Sequence, residues 1–443
     1  MRTPHPIHPQ ATAGSVFIVV LVVCLGLVSL TLVFGNSMLM AYRGADNDMA
    51  GKQAEQAIEG GVRYAKYLMI NVSRPGAVPD PTTFQSDTLP VGDATFWFIG
   101  KPATSDPVDR PAFGLVDEAS KLNLNTATKT MLMGLPGMTQ ELASAIVAWR
   151  TSTSTSGTAS QSAASTPNST IKGSRYESVD ELALVTGTDQ SILYGNDTNL
   201  NHVLDSNEEN TVAAAFSGSQ DDQIGSGLLE YVTVFSREPN TLTDGTTKRI
   251  NITQPVSTRL TTLLAKIVDD KRAREIEQKI RAAGTLTSVL HFYIASGMTE
   301  AEFAKIASSL TAKDGTYVTG LVNVNTASAT VLACIPGIAD KAASLVAART
   351  NQSQPPANLA WVVPILGNAN AIKAGPYLTA NSYQLSVDVA AVGRHGRGYR
   401  RTRFVLDNST GTPCVIHRRN LAPLGWALGD EVRDTLAMKK EMK

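Results

Sequence analysis

The sequence predicts an α+β protein: a long N-terminal helix, an α/β domain with strands near both ends of the chain, and a large helical domain inserted between those strands. Residues 15–34 are almost wholly apolar. Strand-like segments occur at 94–100 and 112–118 and again after residue 381, whereas the pattern from about 120 to 375 is mainly helical. The 443 residues suffice for two or three domains with hydrophobic cores.

The apolar run predicts a membrane anchor. Twenty helical residues cover the roughly 30 Å of a bilayer's hydrocarbon core. The polar leader before the run ends at Gly14, and no small-residue cleavage pattern follows the run. A small residue in front of the helix resembles a type IV prepilin leader, which is cut between Gly14 and Ser15 on the cytoplasmic side. An ordinary signal anchor is the alternative, and both place the rest of the chain outside the cytoplasm.

Helical periodicity continues beyond the anchor. Apolar residues recur at three- and four-residue steps from Ala54 to Met69, and the chain has no proline between Ser15 and Ser73. We therefore expect one helix of about 55 residues, roughly 80 Å long, weakened at Gly44 and Gly51.

An internal repeat lies 200 residues apart in the predicted helical domain. Asn-Thr-Ala at 125–127 and 325–327 is followed by Pro-Gly at 136–137 and 336–337, and the units close at Arg150 and Arg349. Asn125 and Asn325 are predicted to cap a helix of about eight residues, and a second amphipathic helix follows the turn. Each unit therefore predicts a helix-hairpin-helix.

These hairpins favour packing over DNA binding. DNA-binding hairpins usually have a second glycine in the turn, where backbone N–H groups approach a phosphate, but Thr139 and Ala339 occupy that position here. Lys plus Arg equals Asp plus Glu at 39 each, so no overall charge attracts nucleic acid. A membrane-anchored DNA receptor of a competence or type IV pilus system is the main rival function.

The segment 197–208 has the spacing of an EF-hand-type calcium loop. Oxygen ligands would stand at positions 1, 3, 5, 7, 9 and 12, supplied by Asp197, Asn199, Asn201, the carbonyl of Val203, Asp205 and Glu208. His202 stands at the sixth position, where glycine is preferred, so it needs a left-handed backbone. A polar surface loop is the alternative, and Asp221-Asp222 could assist or form a second site.

Three further patterns bear on function. Cys24, Cys334 and Cys414 are interpreted as small hydrophobes, with a Cys334–Cys414 bridge left open. The basic cluster 394–403 is interpreted as a solvated edge, with lipid or partner contact as the alternative. The histidines lack metalloprotease spacing and no G-x-S-x-G turn occurs, so we expect neither an enzyme nor a small-molecule substrate.

The whole chain resembles the large minor pseudopilin of type II secretion, the general secretion pathway protein K family. The resemblance rests on the segments 116–127, 176–187 and 228–240, in that order with the calcium-type loop. It implies a pilin-like α/β domain with an inserted helical domain, structural calcium, cleavage by prepilin peptidase and N-terminal methylation. It also implies a single-pass inner-membrane protein with a periplasmic domain, placed at the pseudopilus tip with other minor pseudopilins and the major pseudopilin.

Val19 supports a tip position. After cleavage at Gly14, Val19 becomes the fifth residue, where most pilins carry a Glu that pairs with the preceding subunit's N-terminal amine. A tip subunit has no subunit above it, so a carboxylate there would be buried and unpaired. A minor pilin of a type IV pilus is a third interpretation, and its chemistry would differ little from that of a minor pseudopilin.

The resulting division of the chain has seven parts. They are a leader (1–14), a transmembrane helix (15–34), the helix continuation with the first strands (35–118), the inserted domain (119–375) with a flexible Ser/Thr-rich loop (151–174), the C-terminal strands (376–425) and a charged tail (426–443).

Overall fold

The computed structural model describes residues 13–102, 110–151, 171–205, 208, 224–352 and 355–441. The leader up to residue 12, most of the Ser/Thr-rich loop and Asp221-Asp222 lie outside these residues. The mixed α and β architecture confirms the predicted fold class.

The first helix, α1, runs without interruption from Ala13 to Ile70, which confirms the long helix. Residues 16–45 are exposed throughout. From Ala50 onward one face is buried at the three- and four-residue spacing of the sequence pattern. Gly51 and Gly61 lie where α1 approaches the sheet, and a Cβ on Gly61 would come within 2.9 Å of Val389. These small residues let the helix pack closely, and they do not break it.

A six-stranded antiparallel sheet packs against α1 within the described residues. Its order is β1 (Leu89–Val91), β2 (Ala94–Ile99), β12 (Gln384–Val392), β13 (Arg400–Asp407) and β14 (Cys414–Asn420). The short strand β3 (Val116–Asp117) pairs with β12 beside β2. The core between α1 and the sheet includes Ala57, Val62, Phe98, Val387 and Leu406. The other strands among the described residues are β4 Leu122–Asn123, β5 Val232–Thr233, β6 Arg237–Pro239, β7 Ile250–Asn251, β8 Leu310–Thr311, β9 Tyr317–Thr319, β10 Val322–Asn323 and β11 Leu378–Thr379.

The helical domain is inserted between β3 and β12, two strands that pair with each other. It returns to the sheet at Gln384, later than the boundary at 375, because Leu378 and Thr379 pair with Val322 and Asn323 of the second repeat. In the part of the chain that the structure describes, the α-helices after α1 are α2 Lys129–Leu132, α3 Gln140–Arg150, α4 Gln190–Tyr194, α5 Leu228–Tyr231, α6 Thr258–Ala265, α7 Asp270–Ala283, α8 Val289–Ser296, α9 Glu300–Ala304, α10 Ala329–Ala333, α11 Ala342–Thr350, α12 Val363–Leu366, α13 Asn368–Ala374 and α14 Gly429–Glu441.

The two repeats form one core and repeat the same contacts. Residues of both units share a single hydrophobic cluster, and a Cβ on Gly134 would lie 3.0 Å from the Cys334 sulfur. Arg150 donates to the carbonyls of Leu124 and Ala127, and Arg349 donates to those of Val324 and Ala327. Arg349 lies one position short of the 200-residue offset from Arg150, yet the two arginines have the same role.

The predicted helix caps are wrong. Thr128 and Ser328 cap α2 and α10 by accepting from the backbone N–H three residues ahead. Asn125 lies before the helix and bonds both to the N–H and to the C=O of Tyr176. The first helices of the hairpins have four and five residues, fewer than predicted.

The C-terminal segment, predicted as a charged tail, contains buried residues and a helix. Ala427 and Leu428 are buried with Trp97 and Ile99 on the sheet face opposite α1, and helix α14 follows. Cys334 and Cys414 are both free, so the bridge left open by the sequence does not form in the structure.

Candidate metal centre

The predicted calcium loop begins directly after α4 and curls back on itself. Leu200 has φ +57° and His202 has φ +60°, so two non-glycine residues adopt the left-handed backbone. His202 was expected to do so at the sixth loop position, whereas the spacing gave no signal for Leu200. Such residues cost about 1–3 kcal/mol each and persist where the surroundings hold them.

Two buried carboxylates accept hydrogen bonds from the loop backbone. Asp197 accepts from the N–H groups of Asn201 and His202 at 3.0 and 2.8 Å. Glu208 accepts from the N–H of Thr198 at 2.9 Å with one oxygen and from the N–H of Asp205 at 3.2 Å with the other. The first and last predicted ligands therefore both hold the loop backbone in its curled form.

The amides at loop positions 3 and 5 complete the cluster. Asn199 and Asn201 both donate from Nδ2 to Asp205, at 2.6 and 3.2 Å. The Oδ1 atom of Asn199 is buried without a hydrogen-bond partner. Val203, whose carbonyl is the predicted ligand at position 7, donates from its N–H to Asn201 Oδ1 at 2.8 Å. Hydrogen bonds thus link the five predicted side-chain ligands within the curled loop, and Val203 is linked to them through Asn201.

The loop carries negative charge that burial makes costly. Burial, together with the charges of Glu208 and Glu230, raises the pKa of Asp197 to about 7. Burial and the nearby charge of Glu208 also raise the pKa of Asp205. Burial lowers the pKa of His202 to about 4, so its imidazole is neutral at pH 7 and does not offset these charges.

The donor set fits a hard divalent cation. Within the described residues, no three His, Cys, Asp or Glu side chains are grouped closely enough to hold a metal by themselves. The loop adds amide oxygens and a backbone carbonyl, which are ligands typical of calcium. The unpartnered Asn199 oxygen and the buried carboxylates are the groups that a cation would satisfy.

A buried arginine joins this loop to the sheet. Arg401 on β13 is fully buried and donates to the carbonyls of Asn199 and Leu200. Its guanidinium also pairs with Asp388 on β12 at 2.8 Å. Burial alone would raise the pKa of Asp388, but the charges of Arg401 and Arg403 hold it below its usual value.

The interpretation of the basic cluster as a solvated edge is therefore wrong. Besides Arg401, both Arg394 and Arg397 pair with Asp46 on α1, and Arg400 pairs with Glu55. These ion pairs attach the loop between β12 and β13, and the first residue of β13, to the helix. An acidic residue inside the strand pattern at Asp388 is the sequence signal that could have suggested a buried partner.

A second buried polar group lies where the inserted domain leaves the sheet. Asp117 accepts from Ser382, from Thr326 at 2.6 Å and from Asn323 at 2.9 Å. The next residue, Glu118, accepts from Thr233 and Ser386. Burial raises the pKa of Asp117 despite these donors. Asp117 therefore attaches the second repeat to the sheet, and Glu118 attaches β5, which pairs with β4 of the first repeat, to β12.

The hairpin turns offer little room for a phosphate. Thr139 caps α3, because its hydroxyl oxygen accepts from the N–H of Leu142 at 3.2 Å. A phosphate bound at the start of this helix would need that same N–H. In the second repeat, a Cβ on Gly337 would lie 2.6 Å from the carbonyl oxygen of Asn370, because α13 covers the turn. Both turns are thus already engaged within the protein.

The predicted processing site lies at the start of α1. Gly14 and Ser15 belong to its first turn, and Val19 lies on the exposed part of the helix. In the part of the chain that the structure describes, α1 is the one helix long and apolar enough to cross a membrane. The most apolar stretch of α1 has no buried residue, unlike the core helix of a soluble protein.

Comparisons with known proteins show similarity to a family model and to a solved structure. A family model for the helix-hairpin-helix motif matches residues 117–155, which include the first repeat. A crystal structure of the GspK-GspI-GspJ complex from the type 2 secretion system of enterotoxigenic Escherichia coli is similar at 11% identity and a TM-score of 0.20, covering 42% of this chain and 78% of that chain. A search of the curated proteins found no significant match.

Proposed function

We propose that this protein is a minor pseudopilin at the tip of a type II secretion pseudopilus, where it initiates and caps the filament. The observation that carries the proposal is α1. Its first half is apolar and exposed, and its second half packs on an antiparallel sheet without a break. The apolar first half of such a helix must be surrounded by lipid or by similar helices. A pilus subunit assembles when this half of its helix leaves the lipid and packs against the helices of other subunits.

The N-terminal features support processing by prepilin peptidase. The proposed cut between Gly14 and Ser15 leaves the apolar helix with a new amine at its end, which would be methylated. Val19 cannot neutralise the amine of a neighbouring subunit, and a tip subunit has no such need. The large domain would then lie in the periplasm and the helix in the inner membrane.

The inserted domain supports a position at the end of a filament. It extends from Glu118 to Tyr383, between the paired strands β3 and β12. A domain of this size would prevent close stacking of identical subunits along a shaft. The partners would be other minor pseudopilins and the major pseudopilin, through contacts between long helices.

We further propose that the loop 197–208 binds calcium in a structural role. The ion would supply positive charge to the buried carboxylates of Asp197 and Glu208 and to the half-buried carboxylate of Asp205. Residues of the chain would hold it with oxygen ligands, and Arg401 would keep the loop against the sheet. Neither a catalytic function nor a small-molecule substrate is part of this proposal.

Mass spectrometry of the protein purified from membranes tests the assignment. We expect a methylated N-terminus at Ser15, and an uncut chain in a Gly14→Glu variant. Thr3→Ala, in the leader far from the cut, is the matched control and should be processed normally. Recovery of the wild-type chain with Met1 retained would reject the pseudopilin assignment.

Calorimetry of the full chain in detergent tests the metal. We expect calcium uptake that Asp197→Ala or Glu208→Ala removes, whereas Asp87→Ala, which removes an exposed carboxylate on the other domain, leaves it unchanged. Equal titrations in all four proteins would reject the loop as the site.

The helix-hairpin-helix match supplies a second candidate, a membrane-anchored DNA receptor. A gel shift with duplex DNA separates the two functions. Salt-sensitive binding at micromolar protein would favour the receptor. We expect no shift, because Thr139 and the covered turn at Gly337 leave few free backbone donors.

A further inference from the structure

A cleft of about 140 Å³ separates the candidate cation loop from the C-terminal segment. The loop forms one wall, and the start of α14 with the residues before it forms the other. The side chains and backbone that matter here belong to Thr198, Asn199, Asp205, Trp426, Asp430 and Arg433. Residues more than 200 positions apart in the sequence therefore face one small volume.

Asn199 connects the two walls. Its Nδ2 donates to the carbonyl of Trp426 at 3.3 Å as well as to Asp205. The side chain is 6% exposed, and its Oδ1 has no hydrogen-bond partner. A buried, unpartnered oxygen at a cleft with carboxylates on both walls is the kind of group that a cation satisfies.

The charges across the cleft oppose close approach of the walls. Asp205 on the loop faces Asp430 in the first turn of α14, and the charge of Asp430 contributes to the raised pKa of Asp205. Arg433 offsets this in part, because it pairs with Asp430 at 3.3 Å and lies over the Trp426 ring. Glu208 adds a further negative charge within the loop.

We propose that Asp430 belongs to the cation site, and that cation binding to the loop and docking of α14 are coupled. The inference rests on the proposed calcium loop and adds a residue that its twelve-residue spacing does not contain. A divalent cation removes the repulsion between the two walls, so it stabilises the docked C-terminal segment. By reciprocity, the docked segment raises the loop's affinity for the cation.

The coupling predicts a measurable change at a distance from the loop. Hydrogen–deuterium exchange of residues 424–436 should slow about tenfold when calcium is added to the full chain in detergent. Calorimetry on the same sample reports whether calcium binds. Binding without slower exchange of 424–436 would overturn the inference and leave the calcium loop standing, whereas no binding at all would overturn both.

Asp430→Asn isolates the carboxylate. We expect its C-terminal segment to be protected without calcium, calcium to add little protection, and calcium affinity to fall several-fold. Asp434→Asn is the matched control, because Asp434 is exposed on the same helix and does not line the cleft. Equal behaviour of the two variants would overturn the inference, since it would reduce the effect to overall charge.

Discussion

Arg401→Ala tests the buried connection between sheet and loop. The substitution leaves Asp388 buried with one cation and removes the donors to the carbonyls of Asn199 and Leu200. Loss of one partner of a buried ion pair costs about 3–5 kcal/mol. Because Arg403 still contacts Asp388 at 2.9 Å, we expect the lower end, about 3 kcal/mol.

Native-state hydrogen exchange measures this cost. Amides of β12 and β13 should exchange about a hundredfold faster in the variant. Arg403→Ala is the control, since Arg403 pairs with the same carboxylate but is partly exposed, and it should cost about 1 kcal/mol. Residues 197–205 should lose protection in Arg401→Ala alone. Equal effects of the two variants at both places would refute the reasoning.

Three further predictions concern the inserted domain. Gly320→Ala should lower the free energy of unfolding by several kcal/mol, because the added Cβ would overlap a side chain of the first repeat. Gly245 has a similar positive φ but lies in open space, so Gly245→Ala should cost about 1 kcal/mol. Urea titrations of the two variants compare these costs. Arg150→Ala and Arg349→Ala should each cost about 1–3 kcal/mol and by similar amounts, and a large difference in urea midpoint would contradict their equivalence. The pKa of Asp117 is raised above 3.8 in the folded state, so its contribution to stability is complete below pH 3.8 and is lost as pH rises through the folded pKa. Asp117→Asn should therefore give a flatter stability curve above pH 3.8, and parallel curves would contradict this.

The long helix and the hairpin repeats could be predicted because their signals are local. The apolar run and the spacing from Ala54 to Met69 define which face of α1 is buried. The repeats show the same letters 200 positions apart, and the structure gives them the same contacts. Capping was mispredicted because Asn, Thr and Ser are all good caps, and only the observed backbone identifies Thr128 as the one used.

The six positions of the candidate cation loop also follow from the sequence, because all their ligands lie within twelve residues. The residues that surround the loop do not follow from the sequence. Arg401 lies in a run of arginines that looks like a solvated strand edge, and its burial depends on Asp388 and on a loop 200 residues away. The place of Asp430 at the same cleft depends on how the segment after the last strand crosses the sheet.

Periodicity and spacing in the sequence by themselves determined the membrane-type helix, the α+β class, the duplicated hairpins and the oxygen-rich loop, because each arises from residues close together in the chain. Tertiary structure alone decided which charges are buried. The sequence around Asp117, Asp388 and Arg401 is equally compatible with exposure of these side chains to solvent. In the structure each is enclosed by elements from distant parts of the chain. A charge's environment is set by everything packed around it, and the neighbouring residues in sequence supply only a small part of that.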